Sequence, residues 1–153
     1  MAKIEITKHI KASPQKVWDF ISDVEKAPEW VTVMQSLVET TDNPVKEGTV
    51  YRERSKIGSK ESETEWRVTR FESPKIQIHE CKESDFAATL TMSVEESDNG
   101  ANLIHNTDYA LMPNFRPLGW LLEKLFVHKT MVKNMNESID NCKRILEMET
   151  KSL

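Results

Sequence analysis

The chain has 153 residues, of which 38% are hydrophobic and 30% are charged, and its formal net charge is −4. This length suits one domain that buries roughly 70% of its unfolded surface, so we expect a single domain over 1–153. The composition is too apolar for intrinsic disorder. Because lysines and arginines are interspersed with acidic residues, no basic face can neutralise a phosphate backbone, and we expect no nucleic acid partner.

The cysteines and the N-terminus bear on location. Cys81 and Cys142 form no CxxC pair for metal or redox chemistry, so we interpret them as buried or half-buried thiols in a reducing compartment. The first residues alternate between charged and apolar, and no apolar run reaches the roughly 18 residues of a membrane span. The sequence therefore predicts a cytoplasmic protein without an integral membrane segment.

The first predicted elements are a strand and two short helices. Three isoleucines occupy even positions of the segment 4–10, the period of a strand with one buried face. Ser13 followed by Pro14 places a hydroxyl cap before a proline at the first helical position, which predicts a helix. A second short helix is predicted over 24–27, where Pro28 is expected to end it.

The middle of the chain is predicted to be all β. Between 34 and 112 no helical period occurs, but strand-like runs are separated by turn residues such as Asn43-Pro44 and Gly100. Six strands are predicted there, over approximately 34–41, 49–57, 62–71, 75–83, 87–96 and 101–111. Successive hairpins of this kind build an antiparallel meander.

The C-terminal part is predicted to be one long amphipathic helix. Its apolar residues recur three and four positions apart, with one interruption, at Leu121, Leu125, Val132, Met135, Ile139, Cys142 and Leu146. This spacing predicts a helix of about 30 residues. The same spacing is typical of an intermolecular coiled coil, which would make the chain a homodimer. We favour burial against the sheet, because a seven-stranded meander needs a cover for its apolar face.

This element order is the helix-grip arrangement, an α+β fold with a seven-stranded antiparallel sheet wrapped around a long C-terminal helix. The residues that support it are Ser13-Pro14, Val17-Trp18, Ile21-Ser22-Asp23 and Trp30 at the front, and Leu118-Gly119, Leu122, Leu125 through Asn141, Lys143 and Glu147 at the end. With these residues the chain resembles the START-like, Bet v 1-like (SRPBCC) superfamily, specifically its polyketide cyclase/dehydrase and lipid-transport type. The resemblance implies a container for lipids, sterols, quinones, plant hormones or polyketides between sheet and helix. It also implies that a minority of members catalyse cyclisation or dehydration, without a family-wide catalytic motif.

Strand alternation assigns side chains to the predicted pocket. In the last strand His105, Thr107 and Tyr109 share the face that we expect to meet the helix. In the strand 75–83, Ile76 and Ile78 are expected to point inward in preference to Gln77 and His79. The full set of predicted ligand-binding residues is Tyr51, Glu53, Trp66, Val68, Ile78, Leu90, Met92, His105, Thr107, Tyr109, Phe115, Leu121, Leu125, His128, Val132 and Met135.

His128 interrupts the apolar stripe of the helix. Paired with inward His105, Tyr109, Tyr51, Trp66 or Glu53, it would give an apolar cavity a few convergent polar groups, as small-molecule sites usually have. The alternative is a histidine hydrogen-bonded to a neighbour inside a solid core.

The connection before the helix contains Phe115 and Trp120, which we consider as the lining of an entrance. The alternative is an ordinary strand-to-helix connection stiffened by Pro113 and Pro117.

Several kinds of chemistry have no motif in this chain. Its four glycines form no GxGxxG, phosphate loop or GxSxG elbow, and its four histidines show no metal-ligand spacing. We therefore expect no cofactor and no metal.

Three functional hypotheses remain. The leading one is a non-enzymatic carrier or sensor of a hydrophobic small molecule such as a lipid, quinone or polyketide. The second is a cyclase- or dehydratase-like enzyme with His128 or His105 as general base and Tyr109 or Tyr51 as acid. The third, implied by resemblance of the front segment 13–30 alone, is the quinone-binding or ribosome-associated toxin branch of the superfamily.

Overall fold

The protein is described from a computed structural model, which covers residues 2–112, 114, 117–118, 121 and 127–151. Within these residues the strands are β1 (Ala2–Ile10), β2 (Met34–Thr40), β3 (Val50–Ile57), β4 (Lys60–Glu72), β5 (Ile76–Lys82), β6 (Phe86–Ser97) and β7 (Gly100–Leu111). The helices are α1 (Pro14–Ser22), α2 (Ala27–Trp30) and α3 (His128–Lys151), with a 3-10 turn (Val24–Lys26) between the first two. None of these helices combines the length and apolarity needed to cross a membrane.

The strands form one antiparallel sheet in the order β1-β7-β6-β5-β4-β3-β2. Every strand after β1 pairs with its neighbour in sequence, while β1 pairs with β7 from Ala2 opposite Tyr109 to Ile10 opposite Ala101. This confirms the predicted α+β helix-grip fold, with its seven-stranded meander, two short helices after β1 and a long C-terminal helix.

The two short helices begin where local chemistry favours them. The hydroxyl oxygen of Ser13 accepts a hydrogen bond from the backbone N–H of Lys16 at 3.2 Å, which caps α1 as predicted. Pro28 was predicted to end a helix at residue 27, which is wrong, because it lies in the first turn of α2. A proline is tolerated there, since an N–H in the first turn has no intrahelical partner to lose.

Helix α3 packs on the sheet through one face. Its buried residues are Met131, Ser138, Ile139, Cys142 and Leu146. Lys143 at its far end donates to the carbonyl of His9 in β1 at 2.9 Å and also to Glu147. Lys8 of β1 lies 2.8 Å from Asp140. The apolar stripe of α3 is thus buried within this chain, where each large apolar side chain contributes roughly 1.5–3 kcal/mol.

Strand β5 faces the opposite way to the prediction. Gln77, His79 and Cys81 are buried, whereas Ile76 and Ile78 are only partly so. Directly opposed residues of neighbouring strands share a face, and Gln77 and His79 oppose the inward Met92 and Leu90 of β6. The predicted inward position of Ile78 is therefore wrong.

Candidate ligand-binding site

A cavity of about 150 Å³ lies between the concave face of the sheet, the α2 region and α3. Strand alternation brings eight of the predicted site residues to its wall: Tyr51, Glu53, Trp66, Leu90, Met92, His105, Thr107 and Met135. Most of the wall is apolar. The pocket that the sequence predicts between sheet and helix is therefore present, and the role of these residues in binding stays a prediction.

Four other predicted site residues are buried or partly buried without lining the cavity. Val68 and Tyr109 are fully buried and Val132 is partly buried in the core. The ring of His128 reaches the hydroxyl of Tyr109, with Nδ1 at 2.9 Å from the phenolic oxygen. His128 thus does meet an inward polar partner of β7, but this pair lies outside the cavity wall.

Two predicted positions are wrong and two lie outside the described residues. Ile78 faces away from the cavity, and Leu121 is 45% exposed. Helix α3 begins at His128 among the described residues, so Leu121 lies outside its buried face. Phe115 and Leu125 are outside the described residues, as is Trp120, the other half of the proposed entrance.

The segment from α2 to β2 supplies a wall that the predicted set omits. Trp30, Val31, Val33 and Met34 line the cavity, as does Met131 at the start of α3. The sequence does mark Trp30, Val31 and Val33, because they are apolar residues that follow Pro28 and lead back towards the core. The alternation of inward and outward side chains applies only to strands, so it could not assign these residues, which lie in a short helix and its connection.

A chain of hydrogen bonds runs along the inner face of β5. The Nε2 of Gln77 donates to the hydroxyl of Ser22 at 3.0 Å, so its carbonyl oxygen is left to accept from Nε2 of His79 at 2.8 Å. The Nδ1 of His79 then accepts from the hydroxyl of Tyr51 at 2.8 Å. Burial, together with nearby His105, lowers the pKa of His79 to about 3, so this ring is neutral and fully bonded.

Glu53 is an acidic group at the cavity wall. It opposes Thr64 across β3 and β4, and the Thr64 hydroxyl donates to its carboxylate at 3.4 Å. The indole N–H of Trp66 donates to the Thr64 hydroxyl at 3.2 Å. Burial nevertheless raises the pKa of Glu53 to about 7, because hydrogen bonds from Trp66 and Thr64 offset only part of the lost solvation.

Two further polar groups at the wall have no hydrogen-bond partner among the described residues: Nε1 of Trp30 and Nδ1 of His105. Trp30 is 4% exposed and His105 is 7% exposed. Burial lowers the pKa of His105 to about 4, so its ring is neutral near pH 7. Helix α3 fixes the backbone of Trp30, because Nδ2 of Asn141 donates to its carbonyl at 3.3 Å.

The described part of the chain offers little nucleophilic or metal chemistry. Cys81 and Cys142 are buried free thiols, as predicted, and burial raises the pKa of each to about 12. Thiols in that state are inert as nucleophiles. Among the described residues no three His, Cys, Asp or Glu side chains are grouped so that they could hold a metal ion.

The sequence profile of the polyketide cyclase / dehydrase and lipid transport family matches residues 1–147. The chain belongs to this family. A relative from Mycobacterium tuberculosis, the uncharacterised protein Rv1546, is 22% identical over 120 residues, covering 78% of this chain and 84% of the relative.

Solved structures of low sequence identity share the fold of this family member. The protein TTHA0849 of Thermus thermophilus superposes with a TM-score of 0.78 at 19% identity, over 94% of this chain and 95% of that one. The di-domain ARO/CYC protein BexL from the BE-7585A biosynthetic pathway superposes with a TM-score of 0.75 at 15% identity, over 95% of this chain and 50% of BexL. At these identities the likeness shows the fold alone.

Proposed function

We propose that this member of the polyketide cyclase / dehydrase and lipid transport family binds a hydrophobic small molecule in the cavity, without catalysing a reaction on it. The observation that carries the proposal is the cavity itself, an apolar space of about 150 Å³ where the sheet and α3 would otherwise form a solid core. Interiors pack closely, with few voids larger than a water molecule, and an apolar space with a few polar groups at its wall is how small-molecule sites are built.

Acid–base catalysis is the second candidate, because His105, one of the two predicted general bases, lies at the cavity wall. A general base works best with a pKa near the operating pH, whereas the pKa of His105 is lowered to about 4. His79, the other histidine at the wall, already uses both ring nitrogens in hydrogen bonds to Tyr51 and Gln77. His128 and Tyr109 form the acid–base pair that the sequence suggested, but outside the wall. These features argue against a histidine as the general base in the cavity.

Methionine methyl NMR tests the binding proposal, because the chain carries its own reporters. Met34, Met92, Met131 and Met135 line the cavity, while Met148 is 59% exposed on α3. The protein labelled at its methionine methyl groups is titrated with a panel of toluene, 1,4-benzoquinone, a fused aromatic polyketide and a medium-chain fatty acid. We expect at least one compound to shift the four cavity methyl signals and leave that of Met148 unchanged.

Two results would contradict the proposal. The first is a panel in which no compound shifts the cavity methyl signals and none raises the melting temperature, since a ligand that binds only the native state must stabilise it. The second is the conversion of a bound compound to a product, if His105→Phe abolishes that conversion. This result would favour an acid–base enzyme instead.

A further inference from the structure

Two orphan polar groups, Nε1 of Trp30 and Nδ1 of His105, belong to residues that line the cavity from two different elements. Trp30 ends α2 beneath α3, whereas His105 lies in the middle of β7 on the sheet. Both side chains are more than nine-tenths buried, and neither atom has a partner among the described residues. Leaving a buried polar group unpaired costs about 1–3 kcal/mol, so a native structure that keeps two beside one cavity calls for a partner inside it.

The donor and acceptor chemistry of these two groups restricts that partner. An indole N–H can only donate, so Trp30 requires a ligand atom with a lone pair. A protonated amine has none and cannot serve. A neutral imidazole nitrogen either donates or accepts according to its tautomer, so His105 suits a carbonyl or a hydroxyl. An uncharged oxygen function satisfies both groups.

The charge at the wall argues against an anionic ligand. Among the described lining residues no lysine or arginine is present that could pair with a carboxylate or phosphate head group. Glu53 lies at the same wall, and its pKa of about 7 leaves it partly ionised near neutral pH. An anion there would meet a like charge in a poorly solvated space.

The volume of the cavity limits the size of the ligand. An engineered apolar protein cavity of about 150 Å³ binds benzene, so a space of about 150 Å³ suits one ring. A fused polycyclic compound or an acyl chain of many carbons would need the walls to move apart.

We infer that the ligand of this cavity is an uncharged, one-ring compound with a hydroxyl or carbonyl oxygen, held between the indole N–H of Trp30 and Nδ1 of His105. The inference rests on the proposed function and narrows it from hydrophobic molecules in general to small phenols, quinones or cyclic ketones. It assigns Trp30 and His105 as the polar anchors of the site.

Phenol and toluene form a matched pair for the test, because they have nearly the same shape and differ by a hydroxyl in place of a methyl group. Dissociation constants for both are measured by methionine methyl NMR on the wild-type chain, on Trp30→Phe and on His105→Phe. We expect each substitution to weaken phenol binding by about 3- to 10-fold relative to toluene binding, the value of one hydrogen bond.

Trp66→Phe is the matched control. Trp66 also lines the cavity, but its N–H already donates to Thr64, so its removal enlarges the space without removing an anchor. We expect this variant to change the binding of phenol and toluene by the same factor.

The outcomes separate this inference from the proposed function. Phenol and toluene that both shift the cavity signals, but respond equally to Trp30→Phe and His105→Phe, would overturn the anchors and leave the binding site standing. A cavity that binds 1-naphthol more than tenfold tighter than phenol would overturn the one-ring limit. If neither compound, nor any other in the panel, reaches the cavity methyl groups, the proposed function itself fails.

Discussion

Glu53 is the only carboxylate among the described residues of the cavity wall, and its raised pKa makes stability depend on pH. From about pH 4.5 to 7 the folded chain holds a proton that the unfolded chain has released, so stability falls as the pH rises through this window. Above about pH 7 the loss of stability caused by the buried charge of Glu53 is complete. A shift of this size corresponds to at most about 3 kcal/mol, and the partial exposure of the side chain reduces that figure.

Glu53→Gln removes this charge and keeps the shape. We expect the variant to melt several degrees above the wild-type chain near pH 8.5, since about 1 kcal/mol corresponds to about 2–4 °C for a domain of this size. Near pH 4 the two melting temperatures should converge, because the wild-type carboxyl is then mostly protonated in both the folded and the unfolded chain. Calorimetry over this range measures both.

Glu63 on β4 provides the control for that prediction. Its carboxylate accepts a hydrogen bond from Arg54 at 2.9 Å, and this contact lowers the pKa of Glu63. Glu63→Gln should therefore give no gain in melting temperature near pH 8.5. An equal gain in both variants would show that general charge reduction, and not the buried position of Glu53, is responsible.

At the scale of elements, the β6–β7 hairpin depends on Gly100. A side chain at this position would run into the backbone carbonyl of Ile10, at the end of the neighbouring β1. Backbone cannot rotate aside as a flexible side chain does, so Gly100→Ala must separate β1 from β7. We expect a loss of about 2–3 kcal/mol in the free energy of unfolding, as for overpacking in a core.

Gly58, in the β3–β4 turn, is the matched comparison for Gly100. A Cβ there meets nothing within 4 Å, and only its positive φ of 63° opposes a side chain. Gly58→Ala should cost about 1–2 kcal/mol, the penalty of the left-handed conformation. Urea unfolding measures the free energy of unfolding of both variants. A smaller loss for Gly100→Ala than for Gly58→Ala would contradict the clash with Ile10.

The elements also show what the sequence could and could not reveal about the site. The alternating apolar residues of β6 and β7 fixed their inward faces correctly, because a half-buried strand must alternate. In β5 both alternating sets are plausible, since Ile76 and Ile78 are more apolar than Gln77 and His79. Only the register against β6 decides between them, and a register is a property of two strands that no single strand encodes.

The same limit applies to the histidines. The sequence singled out His128, because a polar residue in an apolar helical stripe is visible in one dimension. His79 looked like the outward partner of two isoleucines, yet it is 3% exposed and joined to Tyr51 and Gln77. Its burial depends on partners 2 and 28 positions away that bond both ring nitrogens, and such a network becomes apparent only in three dimensions.

For the molecule as a whole, Leu90→Phe tests whether the cavity has room for a larger side chain. Leu90 lines the cavity from the middle of β6. The larger ring should fill part of this space, and we expect a gain of about 0.5–2 kcal/mol in the free energy of unfolding. A loss of about 1–3 kcal/mol, as for overpacking of a filled core, would contradict this prediction. Denaturant unfolding gives the sign directly.

Ala88→Leu supplies the control for Leu90→Phe on the same strand and the same face. Ala88 is 3% exposed in the core and lies two residues from Leu90 without lining the cavity. Its enlargement should destabilise the chain, because no space is available there. If the new ring occupies the cavity, Leu90→Phe should also abolish the shift of the cavity methyl signals that toluene causes. A stabilised Leu90→Phe variant that still binds toluene with wild-type affinity would mean that ligands bind elsewhere on the protein.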